Sequence, residues 1–332
     1  MLLNRGFSKD DIHDLIAARV GAAKVPARFK VISDTSDFFR IDYNDVVLLG
    51  NRPYWVKRYE KEGRFGLDDQ PKYWVRRAVD LLDGSTKILK LVFHEEFNCQ
   101  LGDLVIRCFR SPGKEARILD LVAQHKNFMH GTWVEDEAGN NVRILEFIRG
   151  RSLDDIVASL DNSHQDYFLK QFPDILNQYV ELVKAIRFLH QHGEKHGDIR
   201  RDHILWDREN LTNRWIDFDY NYMHGESMFG FDLQGLGNIL IFLAGRGDVL
   251  VPDLYHGDRR LFDSLWGEDL NLSFKNRVAN LQKIYPYIPD SLNRVLLHFS
   301  WGAKIFYENV DQMLEDLAEA LNDVFNLAGR KV

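Results

Sequence analysis

The sequence predicts an α+β protein whose N-terminal half is rich in β-strands and whose C-terminal half is helical. Apolar and alternating β-rich runs recur between residues 29 and 93, with turn signals such as Asp83-Gly84 between them. From Ser152 onward the apolar residues recur with helical spacing, except around residues 203–220. We therefore expect a bilobal fold, with an antiparallel β-rich lobe joined near residues 146–150 to a helical lobe.

The N-terminal half has recognisable element boundaries. Ser8 and Asp11 have the spacing of a capping box and predict a helix over residues 8–23. The pair Asp83-Gly84 lies between two long β-rich runs, which indicates a hairpin. A helix is expected to begin at Pro112 and to reach about residue 125. The predicted strands are 29–32, 38–43, 46–49, 54–59, 73–82, 86–93 and 142–148.

Composition narrows the functional classes. With 332 residues, 45% hydrophobic and 28% charged, the chain is typical of a soluble globular protein. Its formal charge of −7 argues against a nucleic-acid partner. Only Cys99 and Cys108 occur, which fits a reducing, cytoplasmic setting better than a disulfide scaffold. A signal peptide is not expected, and no apolar run approaches the 18 residues of a transmembrane helix. The oligomeric state is left open.

Two carboxylates stand at a spacing that suggests phosphoryl transfer. Asp198 follows His196-Gly197 in a loop after a helix, and Asp217 follows an apolar Trp-Ile pair 19 positions later (217 minus 198). Transfer from a nucleotide requires one carboxylate to orient the attacking hydroxyl and another to hold the metal between the phosphates. Taken alone, either residue also fits a helix cap or the end of an acidic hairpin.

These segments resemble the catalytic loop and the metal-binding motif of the protein-kinase-like superfamily, over roughly residues 45–325. The resemblance implies an ATP-dependent kinase with a nucleotide cleft between two lobes. It divides the chain into an N-terminal extension (1–43), a kinase N-lobe (44–148) and a kinase C-lobe (149–332). The implied cofactors are ATP and Mg²⁺ or Mn²⁺, and the implied partner is an acceptor that carries a hydroxyl group.

The same resemblance implies a role for each matching residue. Asp198 is the catalytic carboxylate, Asp217 a metal ligand, and Lys90 the phosphate-binding cation held by Glu115. Asp232 would tie down the catalytic-loop backbone. The further implied nucleotide contacts are Gly63 and Gly66 in a phosphate-covering turn, the backbone of Glu146 and Ile148 at the adenine edge, and Leu205 below the base.

The chain departs from the kinase pattern at His203 and at Asp219. His203 stands where most kinases have an asparagine metal ligand, and imidazole suits Mn²⁺ better than Mg²⁺. Asp219 replaces the glycine of Asp-Phe-Gly. Arg200 matches a basic residue with which Ser/Thr protein kinases contact the transferring phosphate, although an ordinary solvated charge fits it equally well.

The acceptor stays open among three hypotheses. Arg200 and the C-terminal helices favour a Ser/Thr protein kinase. Only fourteen residues lie between Asp217 and Asp232, which leaves no room for an activation loop. A segment this short resembles the corresponding one in lipopolysaccharide, choline and aminoglycoside kinases. The third hypothesis is a nucleotide-binding pseudokinase scaffold, which a loss of metal binding at His203 would favour.

Overall fold

The computed structural model describes residues 7–64, 67–101, 104–223 and 227–330, and it shows a mixed α and β protein. Within these residues there are thirteen strands and ten α-helices, besides short 3₁₀ turns. Contacts divide the chain into two compact units. Unit 1 comprises Met1–Glu95, Ser111–Gln124 and Met129–Ile148, and unit 2 comprises Glu96–Arg110, His125–Phe128 and Arg149–Val332.

Unit 1 is built on a seven-stranded curled sheet. In chain order its elements are α1 (Lys9–Val20), β1 (Val31–Ile32), β2 (Val46–Leu49), β3 (Arg52–Arg64), β4 (Leu67–Asp80), β5 (Thr86–Lys90), α2 (Pro112–Leu121), β8 (Gly131–Glu135) and β9 (Asn141–Glu146). Strands β6 (Glu96–Leu101) and β7 (Leu104–Arg110), which lie between β5 and α2 in the chain, belong to unit 2. The strand order is β1-β2-β3-β4-β5-β9-β8. All neighbouring strands are antiparallel except β1 and β2, which pair in parallel.

Most predicted elements of unit 1 are present, although several have other bounds than expected and β8 was not predicted. Ser8 caps α1 and forms the expected capping box with Asp11. The strand expected over residues 38–43 is wrong, because Phe38–Arg40 is a 3₁₀ turn whose cap, Asp37, accepts the N–H of Phe39. Such a local side-chain bond offers the backbone an alternative to strand pairing. The second helix is also shorter than expected, since it ends at Leu121.

The N-terminal helix shares the core of unit 1. Ile12 and Ile16 of α1 are fully buried and cluster with Trp55 and Leu81 of the sheet region. Burial of one apolar stripe against a sheet is what holds a short amphipathic helix in place. The opposite cluster of the sheet contains residues such as Val56, Leu89 and Ile144.

Unit 2 contains the remaining elements, most of them helical. They are β6 (Glu96–Leu101), β7 (Leu104–Arg110), β10 (Gly150–Ser152), α3 (Leu153–Ala158), α4 (His164–Lys170), α5 (Phe172–Gln191), β11 (Ile204–Asp207), β12 (Thr212–Trp215), β13 (Tyr220–Met223), α6 (Gly230–Ala244), α7 (Val251–Gly257), α8 (Arg259–Ser264), α9 (Asp290–Leu297) and α10 (Val310–Leu327). Two three-stranded sheets occur, ordered β10-β11-β12 and β13-β7-β6. No described helix has the length and apolarity to cross a membrane.

Two long helices form the centre of unit 2. Helix α5 buries one apolar face that includes Leu176, Val183 and Leu189, while α6 is buried on nearly every side. Glycines let α6 approach its neighbours closely. A Cβ at Gly235 would lie 2.7 Å from the Cβ of Ile199, in the loop that carries Asp198. The close contact of α6 therefore fixes the position of that loop.

Candidate functional site

The loop after α5 is fixed by a buried carboxylate on α6. Gly193, in the left-handed region at φ 73°, lies in the turn that ends the helix. Asp232 is fully buried and accepts the N–H groups of His196 and Gly197 at 2.8 and 2.9 Å. Its Oδ2 also lies 3.0 Å from Nε2 of His190. The contacts expected between Asp232 and the loop backbone are thus present, and they hold the peptide just before Asp198.

An imidazole lies between the two predicted carboxylates. Nδ1 of His203 lies 2.9 Å from the carbonyl oxygen of Asp198 and 3.5 Å from its Oδ2. Nε2 of the same ring lies 3.6 Å from Oδ2 of Asp217. All three residues belong to unit 2, and the His203 side chain is only 4% exposed. The structure therefore brings Asp198, His203 and Asp217 together.

The carbonyl partner assigns the tautomer of His203. A carbonyl oxygen only accepts hydrogen bonds, so Nδ1 carries the proton, and in the neutral ring Nε2 carries the lone pair. In the neutral ring this lone pair faces the carboxylate of Asp217, so that a metal cation would be bound by both, whereas in the protonated ring Nε2 forms an ion pair with that carboxylate. Metal-binding histidines commonly donate their second N–H to a carbonyl in this way. His203 and Asp217 therefore fit the role of metal ligands.

A metal held here would need ligands from elsewhere as well. Among the residues that the structure describes, no three His, Cys, Asp or Glu side chains form a group that holds a metal ion. Two protein donors completed by nucleotide phosphates and water suit Mg²⁺ or Mn²⁺, which keep several non-protein ligands in nucleotide sites. Their chemistry would be to neutralise phosphate charge.

Asp198 has the environment of a general base. Its side chain is 18% exposed, and burial raises the pKa of its carboxyl above the ordinary value, while His203 and Arg200 partly oppose that rise. A carboxylate with a raised pKa is a stronger proton acceptor than a solvated one. The residue can therefore accept a hydrogen bond from a hydroxyl and draw on its proton.

Asp217 adopts a backbone conformation that is unusual for a residue other than glycine. Its φ is 63°, in the left-handed region. The next residue, Phe218, is fully buried against the rings of Phe128 and His196. Asp219 is also buried and accepts hydrogen bonds from Arg110 at 2.8 and 2.9 Å. Sequence reasoning missed Arg110, because no motif marks it and the β6–β7 hairpin was not predicted.

Unit 1 contains the expected pair of Lys90 and Glu115. Nζ of Lys90, at the end of β5, donates to Oε1 of Glu115 in the first turn of α2 at 3.0 Å. The side chains are 4% and 0% exposed. Arg143 on β9, which was not predicted, donates its Nε to the other oxygen of Glu115 at 2.9 Å. Glu115 is thus held by two cations and fixes Lys90 at the edge of the β5–β9 pair.

Arg200 has a local partner. Its guanidinium donates from Nε and Nη2 to the two carboxylate oxygens of Asp202, and both side chains are partly exposed. An Arg–carboxylate fork of this kind orients the guanidinium. Its predicted contact with a transferring phosphate would therefore compete with the Asp202 pair.

For most of the other residues that were predicted to contact the nucleotide, the structure shows only which element or unit contains them. Glu146, at the end of β9, donates its backbone N–H to His130 at 3.0 Å, so this N–H is already engaged. Ile148 is the last residue of unit 1, and Leu205 lies on β11 in unit 2, opposite Arg214. Gly63 belongs to β3, while Gly66 lies outside the described residues.

Comparison with known proteins adds no family assignment. No protein-family model matches the chain, and a search of curated proteins finds no significant match.

Proposed function

We propose that this protein is an ATP-dependent phosphotransferase of the protein-kinase-like superfamily, and that its two units correspond to the two kinase lobes. The observation that carries the proposal is the placement of His203 between Asp198 and Asp217, with Nδ1 fixed by a carbonyl and Nε2 facing a carboxylate. The buried Lys90–Glu115 pair supports it independently, since an immobilised lysine is suited to bind nucleotide phosphates.

Each residue has one part in the proposed reaction. In unit 1, Lys90 would bind phosphate oxygens of the nucleotide, and in unit 2, Asp217 and His203 would hold a divalent cation whose chemistry would be to neutralise phosphate charge. Asp198 orients the acceptor hydroxyl and takes its proton as the oxygen attacks the γ-phosphorus, with ADP as the leaving group. Its partly buried position supports this role because burial raises the pKa of the carboxyl.

The binding half of the proposal is tested without knowledge of the acceptor. Calorimetric titration of the protein with ATP should show binding when Mg²⁺ or Mn²⁺ is present. Lys90→Met and Asp217→Asn should each weaken it, whereas Glu135→Gln, an exposed change on β8, should leave it unchanged. Absence of nucleotide binding by the wild-type protein with both metals would refute the phosphotransferase proposal.

The sequence favours a polypeptide acceptor, as in Ser/Thr protein kinases, but an observation at β13 favours a small hydroxylated molecule as a second candidate. This strand is at the end of its sheet, where an extended peptide would otherwise add by backbone pairing. The N–H of Tyr222 donates to Oδ1 of Asn221, and its carbonyl accepts from Nζ of Lys195, both at 2.9 Å. Side chains thus occupy backbone groups that a peptide strand would use.

The two acceptor classes are separated by fractionation. A cell extract is divided by ultrafiltration, and each fraction is incubated with γ-labelled ATP, Mn²⁺ and the protein. Label in acid-soluble organic phosphate from the filtrate would establish a small acceptor, and label in acid-insoluble polypeptide would establish a protein kinase. Nucleotide binding with transfer to neither fraction would favour the pseudokinase hypothesis.

A further inference from the structure

The metal-binding candidate Asp217 is followed by two buried residues, Phe218 and Asp219. The backbone of Asp217 is in the left-handed region at φ 63°, a conformation that residues other than glycine rarely adopt unless their surroundings impose it. The two residues after it are both buried, Phe218 at 0% exposure and Asp219 at 1%. Whatever anchors these two residues therefore determines where the carboxylate of Asp217 points.

One polar anchor of this segment is Arg110, the last residue of β7. Its Nη1 donates to both carboxylate oxygens of Asp219, at 2.9 and 2.8 Å, and its guanidinium lies 4.1 Å from the ring centroid of Tyr220. Arg110 is only 6% exposed, so the pair is formed away from water. The contact spans 109 residues of sequence, which makes it a tertiary tether rather than a local turn.

Backbone pairing continues the same tether. Tyr220, Asn221, Tyr222 and Met223 of β13 lie opposite Arg110, Phe109, Cys108 and Arg107 of β7, respectively. The pairing of β13 with the β6–β7 hairpin thus begins at Tyr220, one residue after Asp219. Because Arg110 faces Tyr220 in this register, the strand pairing and the ion pair act on adjacent residues.

Arg110 brings a permanent positive charge to this buried position. Its guanidinium lies within hydrogen-bond distance of both carboxylate oxygens of Asp219, and both residues are buried. A permanently charged, planar group is suited to hold a buried carboxylate in one orientation.

We propose that Arg110 is a positioning residue that, by holding Asp219, fixes the backbone of Asp217 and so sets the metal-binding carboxylate against His203. The inference rests on the proposed function, since Asp217 and His203 are ligands only if the protein binds a metal–nucleotide complex. It assigns the β6–β7 hairpin a specific part in the site, although none of its residues belongs to the kinase pattern.

The test measures metal binding directly, so that it needs no acceptor. Mn²⁺ is titrated into the full-length protein saturated with ADP, and free Mn²⁺ is followed by electron paramagnetic resonance. Arg110→Met should weaken Mn²⁺ binding by about tenfold to a hundredfold, the loss typical when a residue that orients a metal ligand is removed. Arg110→Lys, which retains the charge without the planar guanidinium, should lose less.

A matched control separates positioning from general destabilisation. Arg214 forms another buried ion pair in unit 2, donating to Asp207 at 3.0 Å, with side chains 3% and 4% exposed. Arg214→Met should lower the unfolding midpoint by an amount similar to that of Arg110→Met. It should leave Mn²⁺ affinity within about twofold of wild type, well below the second-shell range.

A double variant covers the case in which Arg110→Met fails to fold. Arg110→Met combined with Asp219→Leu removes both buried charges and leaves no orphaned carboxylate. The proposal expects this protein to regain stability while Mn²⁺ affinity stays low. Recovery of both properties would overturn it, because Arg110 would then only satisfy the charge of Asp219.

The outcomes also distinguish the two proposals. Wild-type affinity for Mn²⁺ in Arg110→Met, with tight binding in the wild-type protein, would overturn the role of Arg110 and leave the phosphotransferase proposal standing. Absence of Mn²⁺ binding in wild type with ADP would overturn the phosphotransferase proposal and this inference with it.

Discussion

Replacing Glu115 with alanine should destabilise unit 1 more than replacing Lys90 with methionine. Glu115 is the common acceptor of two buried cations, at 3.0 Å from Lys90 and 2.9 Å from Arg143. Its removal leaves both cations without this carboxylate. Removal of Lys90 leaves Glu115 paired with Arg143, and Glu115→Gln retains an oxygen acceptor in the same volume.

The expected magnitude follows from these contacts. Breaking a buried ion pair by removing one partner costs about 3–5 kcal/mol, so Glu115→Ala should lose at least this much and Lys90→Met less. With a urea slope of about 2 kcal/mol per M, the midpoint for Glu115→Ala should fall by about 2 M. Urea unfolding followed by tryptophan fluorescence measures it, because unit 1 contains the buried Trp55 and Trp74.

Exposed Glu135 on β8 provides the control, since Glu135→Ala should change the midpoint little. The reasoning is refuted if Glu115→Ala unfolds at the wild-type midpoint, or if Lys90→Met is the less stable of the two. Either result would mean that Arg143 does not share the carboxylate of Glu115 in solution.

Three further predictions concern unit 2. His203→Asn should shift the metal preference of nucleotide binding from Mn²⁺ toward Mg²⁺, because an amide oxygen replaces an imidazole nitrogen; an unchanged preference in calorimetric titrations would remove His203 from the metal site. Burial lowers the pKa of His164 to about 4, whereas the same side chain has a pKa near 6.5 in the unfolded state. Between these two values the folded state binds fewer protons than the unfolded state, so the free energy of unfolding should fall as the pH drops from about 6.5 to about 4. His164→Phe should flatten that fall in urea titrations at several pH values, and equal slopes would contradict it. Asp232→Ala should cost about 1–3 kcal/mol for each loop N–H that it abandons and should accelerate hydrogen exchange at His196 and Gly197, whereas unchanged exchange there would show that other groups fix the loop.

Local sequence signals predicted the elements that local chemistry determines. The capping box at Ser8 and Asp11 marks α1, and Asp83-Gly84 marks the turn between β4 and β5. The pairing of Lys90 with Glu115 was expected from the resemblance to the kinase pattern, and the structure contains it. These features depend on few residues, close together or in a known motif.

Tertiary features were not predictable in this way. The β6–β7 hairpin has a two-residue turn signal, Gly102-Asp103 between Leu101 and Leu104, which could have predicted it, but its pairing with β13 joins segments more than a hundred residues apart. Arg143 and Arg110 are ordinary strand arginines in the sequence, and only folding shows that each meets a buried carboxylate. The 3₁₀ turn at residues 38–40 was mistaken for a strand because its apolar residues outweighed the capping Asp37.

The measurement that tests the central claim most directly compares wild type with Asp198→Ala in transfer from γ-labelled ATP. Both proteins are incubated with Mn²⁺ and unfractionated cell extract, and nucleotide affinity is measured in parallel. Because Asp198 acts on the acceptor hydroxyl, the variant should keep the wild-type affinity for ATP within about threefold while losing about 10²–10⁴-fold in transfer. Equal transfer by the two proteins would contradict the assignment of Asp198 as the catalytic carboxylate.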